Sequence, residues 1–339
     1  MFEKKRLIAE FEEQGFTQII FPHAQTDWAP YLREAQNCFI DIINTIKEFQ
    51  NCLVICADKE ATQKHFASHK NLFFTEYATD DTWARDCSTL CVRENGKTEL
   101  LDFTFNAWGE KFEADRDNAM SQTIKDIYTL PVQKLDFVLE GGAVESNGKD
   151  TVLTTAACML NPNRNPKLNN IQITQNLKEY FGAEHILYLN HGYLAGDDTD
   201  SHIDTLARFI NEDTIMYVQC RDKADEHYKE LHLMEEELSM IAKERGLKLI
   251  ALPMPDALYY EEERLPATYA NFLFVNGAVL VPLYNVAQDR EALEVFKKTF
   301  PKREVIGIDC STLIRQHGSL HCVTMNFAKS VGLQVSLFF

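Results

Sequence analysis

No stretch of the 339-residue chain approaches the ~18–20 apolar residues that a membrane helix requires. The amino terminus, MFEKKRLIAEFEEQGF, mixes acids among its apolar residues, so no signal-peptide core is expected there. Basic side chains are also scarce, 34 against 51 acidic ones, for a formal net charge of −17. Nucleic acid needs a basic footprint and is therefore not the expected partner. A negative field concentrates cationic ligands instead, although an acidic surface also serves solubility alone. The nine cysteines, Cys38, Cys52, Cys56, Cys87, Cys91, Cys158, Cys220, Cys310 and Cys322, are odd in number and without tight clustering. That is no disulfide framework, and a reducing, cytoplasmic setting is the expectation. Linkers rich in Pro, Gly or Ser and low-complexity stretches are absent, so residues 1–339 read as one α/β domain.

Strand-like and helical runs alternate along that domain. Residues 31–50 carry Phe39, Ile43, Ile46 and Phe49 near helical spacing, and Leu53–Ala57 follows as a strand. Residues 223–245 form the clearest amphipathic helix, with Leu231, Met234, Leu238, Ile241 and Ala242 on one face and Gly246 as its stop. Further strands are expected at Thr151–Thr155, Leu247–Leu252, Ala278–Tyr284, Glu304–Asp309 and Leu320–Met325. Such units recur every roughly 60–70 residues, a spacing that permits a repeated architecture. Cys52 and Cys56 share a spacing with Cys87 and Cys91 that invites zinc. The first pair, however, brackets Leu53, Val54 and Ile55, which reads as core.

Reactive groups gather in four short segments: residues 80–86, 139–142, 196–204 and 317–322. Cys322 is a candidate nucleophile. Its neighbour His321 would point to the opposite face of a strand, so the base is sought elsewhere. His202 lies among Asp198, Asp200 and Asp204, which can orient and charge it. Crowded carboxylates repel unless a cation joins them. Magnesium or calcium is one such cation, but no calcium-loop spacing is present. A guanidinium is another, since it pairs bidentately with carboxylates and stacks on an indole such as Trp83 or Trp108.

Seven stretches in order resemble the agmatine deiminase family, a branch of the guanidino-group-modifying enzymes that includes bacterial peptidylarginine deiminases. They are TWARD (82–86), DFTFNAWGEKF (102–112), LEGGAVESNG (139–148), VLTTAACMLNPNRNP (152–166), GDDTDSHIDTLARF (196–209), RLPATYANFLFVNGAVLVPLYN (264–285) and GSLHCVT (318–324). The resemblance implies a pentein fold, a five-bladed α/β propeller of pseudo-fivefold ββαβ units. It implies Cys322 as nucleophile, His202 as general acid/base, and Glu140 as the carboxylate that holds the guanidinium and assists proton transfer. Asp86 and Asp204 match the pair gripping the guanidinium nitrogens. Asp198 and Trp83 match positions toward the distal end of the substrate, with Trp108 a further candidate.

Neither cofactor nor metal is implied, and a homodimer is a family-level expectation. The reaction expected is agmatine to N-carbamoylputrescine and ammonia, a step in polyamine synthesis. Peptidylarginine or free-arginine deimination, a metal-dependent hydrolase built on His202 and the acids, and a catalytically silent binding module are the alternatives. An arginine site needs a cation for the α-carboxylate; Arg164 and Arg208 read as structural. Two departures from relatives stand out: Cys87-Ser88-Thr89 where a Gly-Pro pair is common after Asp86, and Gly318-Ser319 where two glycines are common.

Overall fold

The computed structural model of the chain describes residues 4–338, a mixed α/β arrangement. The strand Asn51–Cys56 buries five of its six residues. It lies between Gln14–Ile20 and Leu72–Glu76, parallel to both, where an uninterrupted apolar run belongs. Cys52 and Cys56 are buried thiols of this strand, and all nine cysteines are free. The helix Leu32–Ile46 buries Ala35, Cys38, Phe39, Ile42, Ile43 and Ile46 along one face. Tyr228–Arg245 buries Leu231, Met234, Leu238 and Ala242 and ends at Gly246, which is left-handed (φ 69°). It starts later than residue 223. Asp222 and Asp225 accept hydrogen bonds from the Ala224 and His227 amides, and such local bonds compete with helix.

Five sheets share one order of pairing, an antiparallel pair and then a parallel strand reached through a helix. Glu145–Ser146 and Thr151–Thr155 are antiparallel, and His185–Leu189 joins in parallel after Asn170–Phe181. Asn147 closes that hairpin, its side-chain oxygen accepting from the amides of Lys149, Asp150 and Thr151. Ala207–Asn211, Thr214–Gln219 and Lys248–Pro253 repeat the order. So do Leu273–Val275, Ala278–Leu283 and Glu304–Asp309. Leu90–Glu94, Lys97–Thr104 and Val132–Val138 form another set, with Arg6–Leu7 on its edge. In the last, Thr324–Ala328 pairs with Gln14–Ile20, so the two ends of the chain share one sheet.

One consequence positions the chemistry. The segments holding Asp86, Glu140, His202 with Asp204, Asn271 and Cys322 each lie just ahead of the first strand of one of these five sheets. Cys322 is therefore in a turn and not in a strand, because the strand expected at Leu320–Met325 begins at Thr324. Turn geometry frees its sulfur from the alternation of a sheet. Among the described residues no helix is long and apolar enough to cross a membrane.

Candidate active site

Three of the pre-strand segments, those of Asp86, His202 and Cys322, open onto a cavity of about 480 Å³. Its walls include Trp83, Asp86, Trp108, Asp198, His202 and Cys322. Glu140 and Asp204 are fully buried beside it and do not line it. Eight carboxylate side chains line it: Asp27, Asp80, Asp81, Asp86, Glu113, Asp117, Asp197 and Asp198. The one guanidinium there is Arg116, paired with Asp80 at 3.2 Å.

Left-handed backbone occurs in the walls and in the segments beside them. Ala107, Trp108, Gly109 and Glu110 have φ of 52°, 56°, 94° and 65°, Asp200 and Ser201 66° and 65°, and His317 64°. Each such non-glycine residue costs about 1–2 kcal/mol. The first turn aims Trp108, whose indole N–H donates to Asp86 Oδ2 at 3.0 Å. Trp108 thus faces Asp86, one of the two acids expected to grip the guanidinium. Lys111, just past that turn, donates to Asp200 at 2.9 Å and ties it to the loop before His202.

Cys322 Sγ lies 3.3 Å from Asn271 Nδ2 and 3.9 Å from Asp204 Oδ2. Its carbonyl accepts from the Arg85 amide at 3.1 Å, which locks residues 82–86 to the turn that carries Cys322. Asn271 is a site residue that no reading of single residues picked out, although it stands inside one of the seven stretches. The departures in sequence are absorbed locally. Gly318 faces the Trp83 ring, which a Cβ would meet at 2.1 Å. Ser319 sits 2.8 Å from the Tyr284 hydroxyl. Ser88 accepts a hydrogen bond from Gln18.

His202 is oriented otherwise than its sequence neighbours suggested. Asp200 is engaged by Arg164 and Lys111, and the carboxylates near the His202 ring are Asp86, 3.8 Å from Nδ1, and Glu140, within 4.8 Å of a ring nitrogen. His202 Nε2 and Asp204 Oδ1 are buried without a hydrogen-bond partner among the described residues. Glu140 is gripped by Arg164 Nε at 2.8 and 3.0 Å. Arg208 pairs with Glu145 and Glu10. Both arginines are buried and committed to internal acids. Neither is available for a substrate carboxylate. Glu140, Cys158 and His202 bring candidate metal ligands within 4.8 Å of one another. Arg164 already neutralises Glu140 there, so a metal ion would face a guanidinium at close range.

Burial and like charge set the protonation of the empty cavity. Burial, with the charges of Asp204 and Asp86 added, pushes the Cys322 thiol well above its usual range. Burial and Asp204 push Asp86 up, which the Gly142 and Trp108 donors only partly offset. Burial holds His202 down at about 3, so the ring is neutral and not charged by its acids. Burial also raises Glu140 against the pull of Arg164. Asp204 alone ends low: burial raises it, but the hydrogen bond and charge of His321 outweigh that. Asp198 rises to about 6 through burial and Asp197, against His317 and Lys111.

Gly142 shows how tight the constellation is. A Cβ there would stand 2.7 Å from His202 Nδ1, 2.9 Å from Asp86 Oδ1 and 3.1 Å from Asp204 Oδ2. Its amide donates to Asp86 Oδ1 at 2.9 Å. Gly142→Ala is expected to lower kcat/KM by about 100-fold, since misplacements near 1 Å have that effect. Steady-state kinetics beside a thermal melt check it; unchanged kinetics would mean these three groups are not set by Gly142.

A family model for Porphyromonas-type peptidyl-arginine deiminases matches residues 6–327. The chain belongs to that family. A C. jejuni agmatine deiminase, solved as a Cys-to-Ser variant with substrate bound, is 43% identical, with 95% of this chain and 96% of that one covered and a TM-score of 0.91. A Porphyromonas gingivalis protein provisionally named an arginine deiminase is 44% identical over 97% and 99% of the chains, at a TM-score of 0.93. Agmatine deiminase of Enterococcus faecalis is 28% identical over 96% of each, at 0.88.

Proposed function

We propose that the chain is an agmatine deiminase, hydrolysing agmatine to N-carbamoylputrescine and ammonia, within a single five-bladed pentein domain spanning residues 1–339. The five sheets of like pairing, each preceded by a segment that carries one of Asp86, Glu140, His202, Asn271 and Cys322, support the propeller reading. The observation that carries the function is a cavity-facing thiol, Cys322, with the buried acids Asp204 and Asp86 and the His202 imidazole gathered around it.

The acids Asp86 and Asp204 hold the guanidinium, with Glu140 braced by Arg164 assisting. The cation lowers the Cys322 pKa, and the thiol proton passes to His202. The thiolate attacks the guanidinium carbon; His202 returns the proton to the departing nitrogen, and ammonia leaves a thiouronium on sulfur. Water, deprotonated by His202, attacks the same carbon, and the C–S bond breaks to give the ureido product and the thiolate. Asp198 and Trp83 are assigned to the amine end of the substrate. The acidic mouth and the commitment of Arg164 and Arg208 disfavour an α-carboxylate, which ranks agmatine above free arginine.

Ammonia and ureido-product formation with agmatine, arginine and an arginyl peptide test the assignment. The kcat/KM for agmatine is expected to exceed the others by about 100-fold or more, near 3 kcal/mol. Equal or better turnover of the peptide would overturn the substrate reading and keep the chemistry.

Proton linkage gives a second test. Asp86 holds its proton to higher pH when the cavity is empty, and a bound guanidinium displaces it. Agmatine binding to Cys322→Ala should therefore release protons and tighten as pH rises from 6 to 8, by up to about tenfold per unit for each proton. Calorimetry in two buffers of different ionisation heat counts them; an affinity flat with pH contradicts the linkage.

A further inference from the structure

Beneath the cavity lies a buried charge network that the mechanism above does not use. Glu10 reaches in from the N-terminal segment and meets three basic side chains, two from site segments and one from the strand Ala207–Asn211. They are Arg85 Nη2 at 3.2 Å, Arg208 Nη2 at 3.0 Å and His321 Nε2. His321 Nδ1 bonds Asp204 Oδ2 at 2.7 Å, and Arg208 also binds Glu145. His321 is 2% exposed, Asp204 and Arg208 0%, Arg85 6% and Glu145 7%.

Two features fix the state of the His321 ring. Both of its nitrogens face carboxylates; Arg85 and Arg208 hold Glu10 ionised, Asp204 also stays ionised, and an ionised carboxylate only accepts, so each nitrogen carries a proton. The network also holds three acids, Glu10, Glu145 and Asp204, and two guanidiniums. One negative charge is left over, and an uncompensated buried charge is costly. An imidazolium at His321 balances it.

We propose that His321 is a positioning residue, held as an imidazolium between Glu10 and Asp204, that keeps Asp204 ionised and turned so that its unpartnered Oδ1 faces the guanidinium. Glu10 is the hub that makes the charge on His321 necessary. This rests on the assignment of Asp204 to guanidinium binding. The acid that grips a cationic substrate is thereby kept charged in a dry site, even before substrate arrives. The groups facing the ring are Asp204 and Glu10 directly, Arg85, Arg208 and Glu145 through them, and the adjacent Cys322.

The experiment has two independent readouts. Spectra of 15N-histidine-labelled enzyme without substrate report the ring directly, with His321 assigned by its loss in His321→Gln. At pH 8 both ring nitrogens should be protonated in the wild type. In Glu10→Gln, which removes the surplus negative charge, the ring should be neutral. A neutral His321 in the wild type, or an unchanged ring in Glu10→Gln, overturns the proposal whatever the substrate proves to be.

The second readout is kinetic. His321→Gln should raise KM for agmatine by about tenfold or more at pH 7 with kcat little changed, and the KM ratio to wild type should fall toward 1 by pH 9 as Asp204 ionises unaided. A ratio flat with pH would mean that His321 only packs, and would overturn the positioning role. If His321→Gln does not fold, His321 is assigned through its backbone resonances, and the spectra of the wild type and Glu10→Gln decide alone.

Discussion

Cys322→Ala is expected to reduce agmatine turnover by about 10⁴-fold or more while the protein still binds agmatine, because loss of a covalent nucleophile removes the reaction route and not the cavity. Eight of the nine cysteines are buried, and Cys322 is the one on the cavity wall. Cys158 is the instructive control. It lies close to His202 and Glu140, yet it is fully buried and lines no part of the cavity. Burial, with Glu140 adding to it, pushes its thiol well up as burial does for Cys322, but Cys158 lies off the cavity, where no bound cation offsets the rise. Cys158→Ala should keep turnover. Ammonia release measured on both variants, with agmatine binding to Cys322→Ala followed by calorimetry, checks the pair. Loss of turnover in Cys158→Ala alone would move the nucleophile.

His202→Asn is expected to lower kcat by about 10²–10⁴-fold, the range for a group that both donates and accepts a proton in turn. The empty-cavity ring is neutral, held down by burial. It accepts the thiol proton as the thiolate forms beside it and attacks the guanidinium carbon, and it hands that proton on to the departing nitrogen. Its Nε2 has no partner among the described residues, and no other imidazole lines the cavity except His317, whose Nδ1 is 2.7 Å from the Gly196 carbonyl. Asparagine keeps the size and polarity of the site without the proton shuttle. Steady-state ammonia release across pH 6–9 reads the effect, and a variant within tenfold of wild type would remove His202 from the chemistry.

Local pattern and distant contact divide what the sequence makes legible. Strands such as Thr151–Thr155 and Glu304–Asp309, and the helix ending at Gly246, follow from runs and stops a few residues long. Asp86, Glu140, His202, Asp204 and Cys322 could be singled out because reactive side chains stand out at turns, and the structure gathers them. What stays invisible is who touches whom. Glu10 and His321 are 311 residues apart in sequence, and Arg164 and Glu140 24. No periodicity links either pair. Asn271 sits in an apolar stretch where one amide draws no notice, and only its approach to Cys322 gives it meaning. The strand expected across Cys322 failed for a related reason. Gly318 and Ser319 are tied to Trp83 and Tyr284, and those tertiary contacts hold residues 320–323 in a turn despite their strand-like composition.

The central claim is that Cys322 sulfur forms a bond to the substrate's guanidinium carbon. Rapid acid quenching of the enzyme during agmatine turnover, followed by mass spectrometry of its peptides, tests it most directly. A thiouronium adduct of agmatine less ammonia, confined to the peptide carrying Cys322 and absent from Cys322→Ala, is the predicted result. Sustained agmatine hydrolysis by Cys322→Ala, or an adduct on another residue, would contradict it.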